Sequence, residues 1–77
     1  MPRLPKIDGR EVLKILVKAG FYIHHQSGSH VRLFHRTSPE LRVTIPVHGK
    51  DLPERTLRSI LRQADITPDK FNRLIKD

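Results

Sequence analysis

The chain has 77 residues, with 15 Lys and Arg against 8 Asp and Glu for a formal charge of +7, and it has no cysteine. A chain this short is expected to form one domain over residues 1–77 that buries about 60% of its unfolded surface, with no room for a deep cofactor cleft. Disulfide frameworks and thiolate metal or redox chemistry are excluded, and no apolar run approaches the roughly 20 residues of a membrane span.

The opening Met1-Pro2-Arg3-Leu4-Pro5-Lys6 has no apolar signal region, so a cytoplasmic protein away from membranes is expected. The excess of positive charge favours a polyanionic partner, nucleic acid first, over a surface serving only solubility.

Residues 1–7, with two prolines, read as an extended lead-in. Asp8 is a good N-cap, and Glu11 completes a capping-box pair. Val12, Leu13, Leu16, Val17 and Ala19 recur at helical spacing, with Lys14 and Lys18 outside and Gly20 as C-cap, so a helix is predicted over Gly9 to Ala19. Phe21 to Gln26 and His30 to Arg36 read as strands joined by Ser27-Gly28-Ser29, where Gly28 can take the positive φ of a tight hairpin. In the second strand Val31, Leu33 and His35 share one face, and His30, Arg32, Phe34 and Arg36 the other. Phe34 interrupts that polar face, either as a partly exposed aromatic or as the mark of a bulge.

Thr37 to Glu40 is turn chemistry. Leu41 to Ile45 alternates as a third strand, with Leu41, Val43 and Ile45 inward, Arg42 and Thr44 outward, and Pro46 as its end. Val47 to Leu52 is a loop holding His48, Gly49 and Lys50. Pro53 suits a first helical position, after which Leu57, Ile60, Leu61 and Ala64 form an apolar stripe and Arg55, Arg58 and Arg62 a basic one. Thr67-Pro68 opens a last short helix with Phe71, Leu74 and Ile75 apolar. The order is α+β: a helix, a three-stranded antiparallel sheet, then two helices, with the helices on one face of the sheet. The other face carries His30, Arg32, Arg42 and Thr44.

That open face has what RNA strand cleavage requires. The 2′-hydroxyl must lose a proton, the 5′-oxygen must gain one, and the phosphate needs cations. His30 could move a proton near neutral pH, and arginines such as Arg32 and Arg42 hold phosphates bidentately. On spacing alone His30 is equally a surface residue chosen for a strand start. His48 and Lys50 precede a helix N-terminus whose free N–H groups suit a phosphate, although a histidine bonding its own loop fits His48 as well. His24, His25 and His35 read as strand-surface or partner-contacting residues. Arg55, Arg58 and Arg62 are either phosphate contacts or a solvated helix face. Tyr22 and Phe34 could stack on unpaired bases, a weak signal in so few aromatics. No acid lies between Val12 and Pro39 and no His-x-x-x-His pair lies on a helix, so no metal site and no cofactor are expected.

At these residues the chain resembles the HicA family of small bacterial toxins. The resemblance covers nearly the whole chain: the first helix ending in Ala19-Gly20-Phe21, the Gly28-Ser29-His30 turn, Val43 to His48, Thr56 to Ala64, and the closing segment Ile66 to Leu74. It implies a double-stranded-RNA-binding-domain-like αβββα fold and metal-independent cleavage of mRNA. His30 would be the catalytic histidine, supported by Gly28 and Ser29. It also implies neutralisation by a HicB-like antitoxin covering the site, with DNA contacted only through the antitoxin complex. Many members of the family carry a second histidine directly after the first; Val31 stands there, so no role transfers to it. Asp65 replaces the usual glycine after Gln63-Ala64, which is expected to force a different helix C-cap. Two other readings compete: a non-catalytic basic RNA-binding module, and an interaction protein docking an acidic partner. Binding to a DNA operator is disfavoured by the lack of a helix-turn-helix pattern.

Overall fold

Local capping and alternation place six elements in the expected order: α1 (Gly9–Lys18), β1 (Phe21–Ser27), β2 (His30–His35), β3 (Arg42–Pro46), α2 (Glu54–Ala64) and α3 (Pro68–Lys76). The computed structural model describes residues 3–77. Met1 and Pro2, the start of the expected lead-in, lie outside the described residues.

The Asp8 carboxylate accepts from the Glu11 backbone N–H at 2.9 Å and caps α1. The reciprocal half of the expected capping box is not made, since the Glu11 carboxylate lies 3.6 Å from Lys14 Nζ. Ala19 is the C-cap, and Gly20 follows with φ 102°. The third strand starts one residue later than expected because the Leu41 backbone closes the preceding turn, its N–H donating to Ser38 at 2.9 Å. Pro53 stands just before α2, with ψ 147°, and its carbonyl accepts from Leu57 N–H at 3.0 Å. It is therefore the residue flanking the helix, not the first helical one. Thr67 caps α3 as expected, accepting from the Lys70 N–H at 3.2 Å.

The strands form one antiparallel sheet in the order β1-β2-β3. One face is apolar: Phe21, Val31, Leu33, Val43 and Ile45 are buried there against Val12 and Leu16 of α1 and Leu57 and Ile60 of α2. α1 packs on β1 and β3, α2 packs on β3, and α3 packs on both helices through Phe71. Among the described residues every buried side chain is apolar or glycine, and no buried polar atom lacks a partner. This is the α+β arrangement the sequence implies, with α3 added to the αβββα order.

Two details fix the ends of the sheet. Gly9 faces the Pro46 carbonyl so closely that a Cβ would collide with it, which locks the start of α1 onto the end of β3. The Leu52 N–H donates to Ile7 at 2.8 Å, and an isolated bridge pairs Asp8 with Asp51. The described part of the lead-in is thus docked, with Leu4 buried in the core.

Asp65 corrects the expectation about the α2 C-cap. It adopts the left-handed conformation itself (φ 58°, ψ 42°). Its N–H donates to Arg62 at 3.2 Å, and the Ile66 N–H donates to Leu61 at 2.9 Å. That is the paired closure a glycine normally makes, kept because Ile66 must reach the core, where it is buried. An aspartate holds this conformation at a cost that glycine avoids. Asp65→Gly is therefore expected to stabilise the fold by about 1 kcal/mol, raising the thermal midpoint by roughly 4–8 °C for a chain of this size. A lower midpoint would show that the Asp65 side chain contributes more than its backbone costs.

Candidate active site

Ser27 pairs with His30, leaving Gly28-Ser29 as a two-residue hairpin loop. Gly28 has φ 59° and Ser29 has no positive φ, the pattern of a type II′ turn, which wants glycine first. No atom lies within 4 Å of where a Gly28 Cβ would sit, so the position needs glycine for its backbone and not for space. The Val47 N–H donates to the Ser29 carbonyl at 2.6 Å, tying the turn to the loop after β3.

β2 is the central strand, and its register lays the open face out in three cross-strand rows. His30 stands opposite Ser27 and Pro46, Arg32 opposite His25 and Thr44, and Phe34 opposite Tyr22 and Arg42. Successive rows are about 7 Å apart, two residues of strand rise. His30, Arg32 and Arg42 are exposed there, as the alternation predicts, and Thr44 is half-buried. The Thr44 N–H at the β3 edge donates to Gln63 Oε1 of α2 at 3.2 Å.

The register shifts between Ile23 and His25. Ile23 opposes Leu33 and His25 opposes Arg32, so His24 is the extra residue of a β-bulge. Gln26 then opposes buried Val31 and lines a shallow groove on the helix side with Arg10, Leu13, Ile23 and Val47. His25 consequently faces the open side. His24 faces it too, its ring stacked on Phe34 at 3.9 Å and 6°. Arg42 lies over the Phe34 ring at 4.9 Å, Tyr22 meets Phe34 edge-on at 6.5 Å, and Arg36 lies over Tyr22 at 5.5 Å. Phe34 is thus a partly exposed aromatic, and the bulge lies in the neighbouring strand.

The other expected residues distribute as follows. His48 and Lys50 are exposed in the loop that the Val47–Ser29 bond holds beside the hairpin turn, at the His30 end of the face. Arg55, Arg58 and Arg62 belong to α2 on the helix side and do not join His30. Arg58 pairs with Glu54 at 3.1 Å, and Arg58 and Arg62 border a depression shared with Ile66 and Pro68. His35 is not the surface residue expected. Its Nδ1 accepts from the N–H groups of Thr37 and Ser38 at 3.2 and 3.1 Å, its Nε2 lies 3.2 Å from the Ala19 carbonyl, and its ring packs edge-on against Phe21. These partners fit the tautomer protonated at Nε2, with His35 as a clamp between α1, β2 and the following turn. Among the described residues no three His, Asp or Glu side chains gather as a metal-ligand set.

Sequence reasoning passed over His24 and His25 as open-face groups. The available signal was the break in alternation: with Phe21 and Ile23 inward, strict period two would send His25 into the core.

The family model described as HicA toxin of bacterial toxin-antitoxin matches residues 9–66, from the start of α1 through all three strands and α2. No curated protein sequence matches the chain.

Because the hairpin uses Gly28 only for its φ, Gly28→Ala is expected to cost about 1 kcal/mol and lower the thermal midpoint by a few degrees, with no steric penalty added. An unchanged midpoint would mean that the turn readily adopts another geometry.

Proposed function

The chain belongs to the HicA family of bacterial toxin–antitoxin toxins, and from that premise we propose that it is a metal-independent endoribonuclease that cleaves mRNA, with His30 as a proton-transfer group. The observation that carries this reading is the exposed His30 at the end of an open sheet face shared with Arg32 and Arg42.

In the proposed reaction a base takes the proton of the 2′-hydroxyl. The 2′-oxygen bonds to phosphorus, the bond from phosphorus to the 5′-oxygen breaks, and that oxygen takes up a proton. The products are a 2′,3′-cyclic phosphate and a 5′-hydroxyl. Arg32, one row from His30, balances the charge that builds on the phosphoryl oxygens. The rows supply histidine, arginine, hydroxyl and aromatic groups and no carboxylate, a set suited to proton transfer and phosphate binding and poor for hard cations such as magnesium, which take carboxylate oxygens. Gly28 and Ser29 set the position of His30, and His48 and Lys50 border it as supporting cations. Arg55, Arg58 and Arg62, on the helix side, offer phosphate contacts away from the reacting centre.

The substrate in this reading is unpaired RNA. The His24–Phe34–Arg42 column and Tyr22 offer stacking surfaces to bases, and a duplex keeps its bases stacked on one another. A HicB-like antitoxin with an acidic contact surface would cover the same face, so antitoxin and RNA exclude one another, and DNA is reached only through the antitoxin complex.

Cleavage in EDTA by the parent protein, beside His30→Ala, tests the chemistry. The expected outcome is 5′-hydroxyl ends from the parent and a variant slower by about 10²–10⁴-fold. Ends bearing 5′-phosphate, or activity lost to the chelator, would overturn the reading. Bound RNA left intact by both proteins would favour the non-catalytic binding module. Equal cleavage by both would remove His30 from the mechanism.

Phe34→Leu keeps an apolar side chain but removes the stacking column. Affinity for a single-stranded oligonucleotide is expected to fall about tenfold or more, in line with 1–3 kcal/mol per stacked base, with duplex binding little changed. Equal loss on both substrates would refute the stacking role.

A further inference from the structure

We propose that His25 is the second proton-transfer group of this centre, working with His30 across the β1–β2 pair; the assignment rests on the endoribonuclease reading above. Strand cleavage moves one proton off the 2′-oxygen and one onto the 5′-oxygen, and these atoms lie on opposite sides of phosphorus when attack and departure are in line. One group at the end of one strand cannot stand on both sides. The face therefore has to offer a second proton carrier on the far side of the phosphate.

The bulge supplies it. Without the extra residue at His24, alternation would send His25 to the helix side, where Gln26 and Val31 now line the groove. With it, His25 faces the open side directly opposite Arg32 and diagonal to His30, one row away on the neighbouring strand. Diagonal neighbours on an antiparallel pair are about 7–8 Å apart, enough to admit a phosphate between two imidazoles. Arg32 belongs to both rows: it opposes His25 and follows His30 by two residues on β2. Its guanidinium can hold the phosphate that the two histidines flank. Bulges recur where a strand has to re-aim a side chain beside an active site.

The remaining histidines are otherwise engaged or more distant from Arg32. His24 is stacked on Phe34, and His35 is held by Ala19, Thr37 and Ser38. His48 lies beyond the end of β3, past the His30 row. The groups that face His25 are Arg32 and His30 from β2 and His24 on its own strand, with Arg10 of α1 on the opposite side of the sheet. None is a carboxylate, and the sequence has none between Glu11 and Glu40.

In the balanced step one histidine enters neutral and takes the 2′-proton. The other enters protonated and releases its proton to the departing 5′-oxygen. The phosphorus–oxygen electron pair leaves with that oxygen, and the two imidazoles end with their protonation exchanged. Solvent restores them.

The test compares the parent, His25→Ala and His30→Ala on two single-stranded RNAs of identical sequence. One carries the ordinary 5′-oxygen at the cleavage site; the other carries a bridging 5′-sulfur, whose departure needs no proton. On the ordinary RNA both variants are expected to lose about 10²–10⁴-fold in the single-turnover rate, with RNA affinity within a few-fold of the parent. On the sulfur substrate one variant alone is expected to regain most of its rate, and that histidine is the acid. The recovery would itself show an intact fold and site.

A His25→Ala rate within tenfold of the parent on ordinary RNA would overturn the proposal. So would a loss accounted for by affinity, or sulfur rescue of both variants or of neither. Full activity in His30→Ala, or no cleavage by the parent, would instead sink the endoribonuclease reading, and the His25 assignment with it.

Discussion

Everything on this molecule depends on burying a three-stranded sheet on one side only. Val31, Leu33, Val43 and Ile45 pack beneath α1 and α2, and with period-two alternation the intervening residues of β2 and β3 then have to face water. A sheet covered on both faces would have hidden His30, Arg32 and Arg42. All three helices of the described residues lie on the apolar side, so the other face stays free for a partner. The Gly9–Pro46 contact and the docked lead-in secure the sheet from its helix side.

Along the open face the register acts as a ruler. Residues two apart on β2 define rows with distinct chemistry: histidine beside a fixed turn, arginine in the middle, an aromatic column at the far end. Strand geometry sets these separations more rigidly than a loop could, which would suit the proposed reaction, in which two proton carriers flank one phosphate. The bulge is the one departure from regular pairing between β1 and β2, and it falls where it brings a histidine onto the open face.

Much of this was legible in the sequence. Asp8, Gly20 and Thr67-Pro68 act over three or four residues, and their capping chemistry located three helix ends. Strict alternation in Arg42 to Ile45 fixed the inward and outward faces of β3. What escaped is non-local. The bulge at His24 exists relative to β2: the broken alternation of β1 hints at it, but only the pairing with Leu33 and Arg32 fixes the side that His25 takes. His35 is a clamp only because Ala19 comes back beside it in space. Asp65 keeps the closure of a glycine because burial of Ile66 outweighs a local backbone preference. His30, by contrast, was legible as an exposed strand-start residue, since both its turn and its alternation are local.

The charge on the open face favours a polyanionic partner. His24, His25, His30, Arg32, Arg36 and Arg42 converge there with no carboxylate in the paired rows. Part of the resulting repulsion is relieved internally, by the guanidinium groups of Arg42 and Arg36 lying over Phe34 and Tyr22. Arg32 and His30 make no ion pair or side-chain hydrogen bond among the described residues. Surface charge of one sign raises the local concentration of opposite charge and speeds encounter. An RNA phosphate and an acidic protein surface answer the same field, so the proposed substrate and the proposed antitoxin would compete through physics that precedes any specific contact. Discrimination between them would then fall to the aromatic column, since unpaired bases can use a stacking surface that carboxylates cannot.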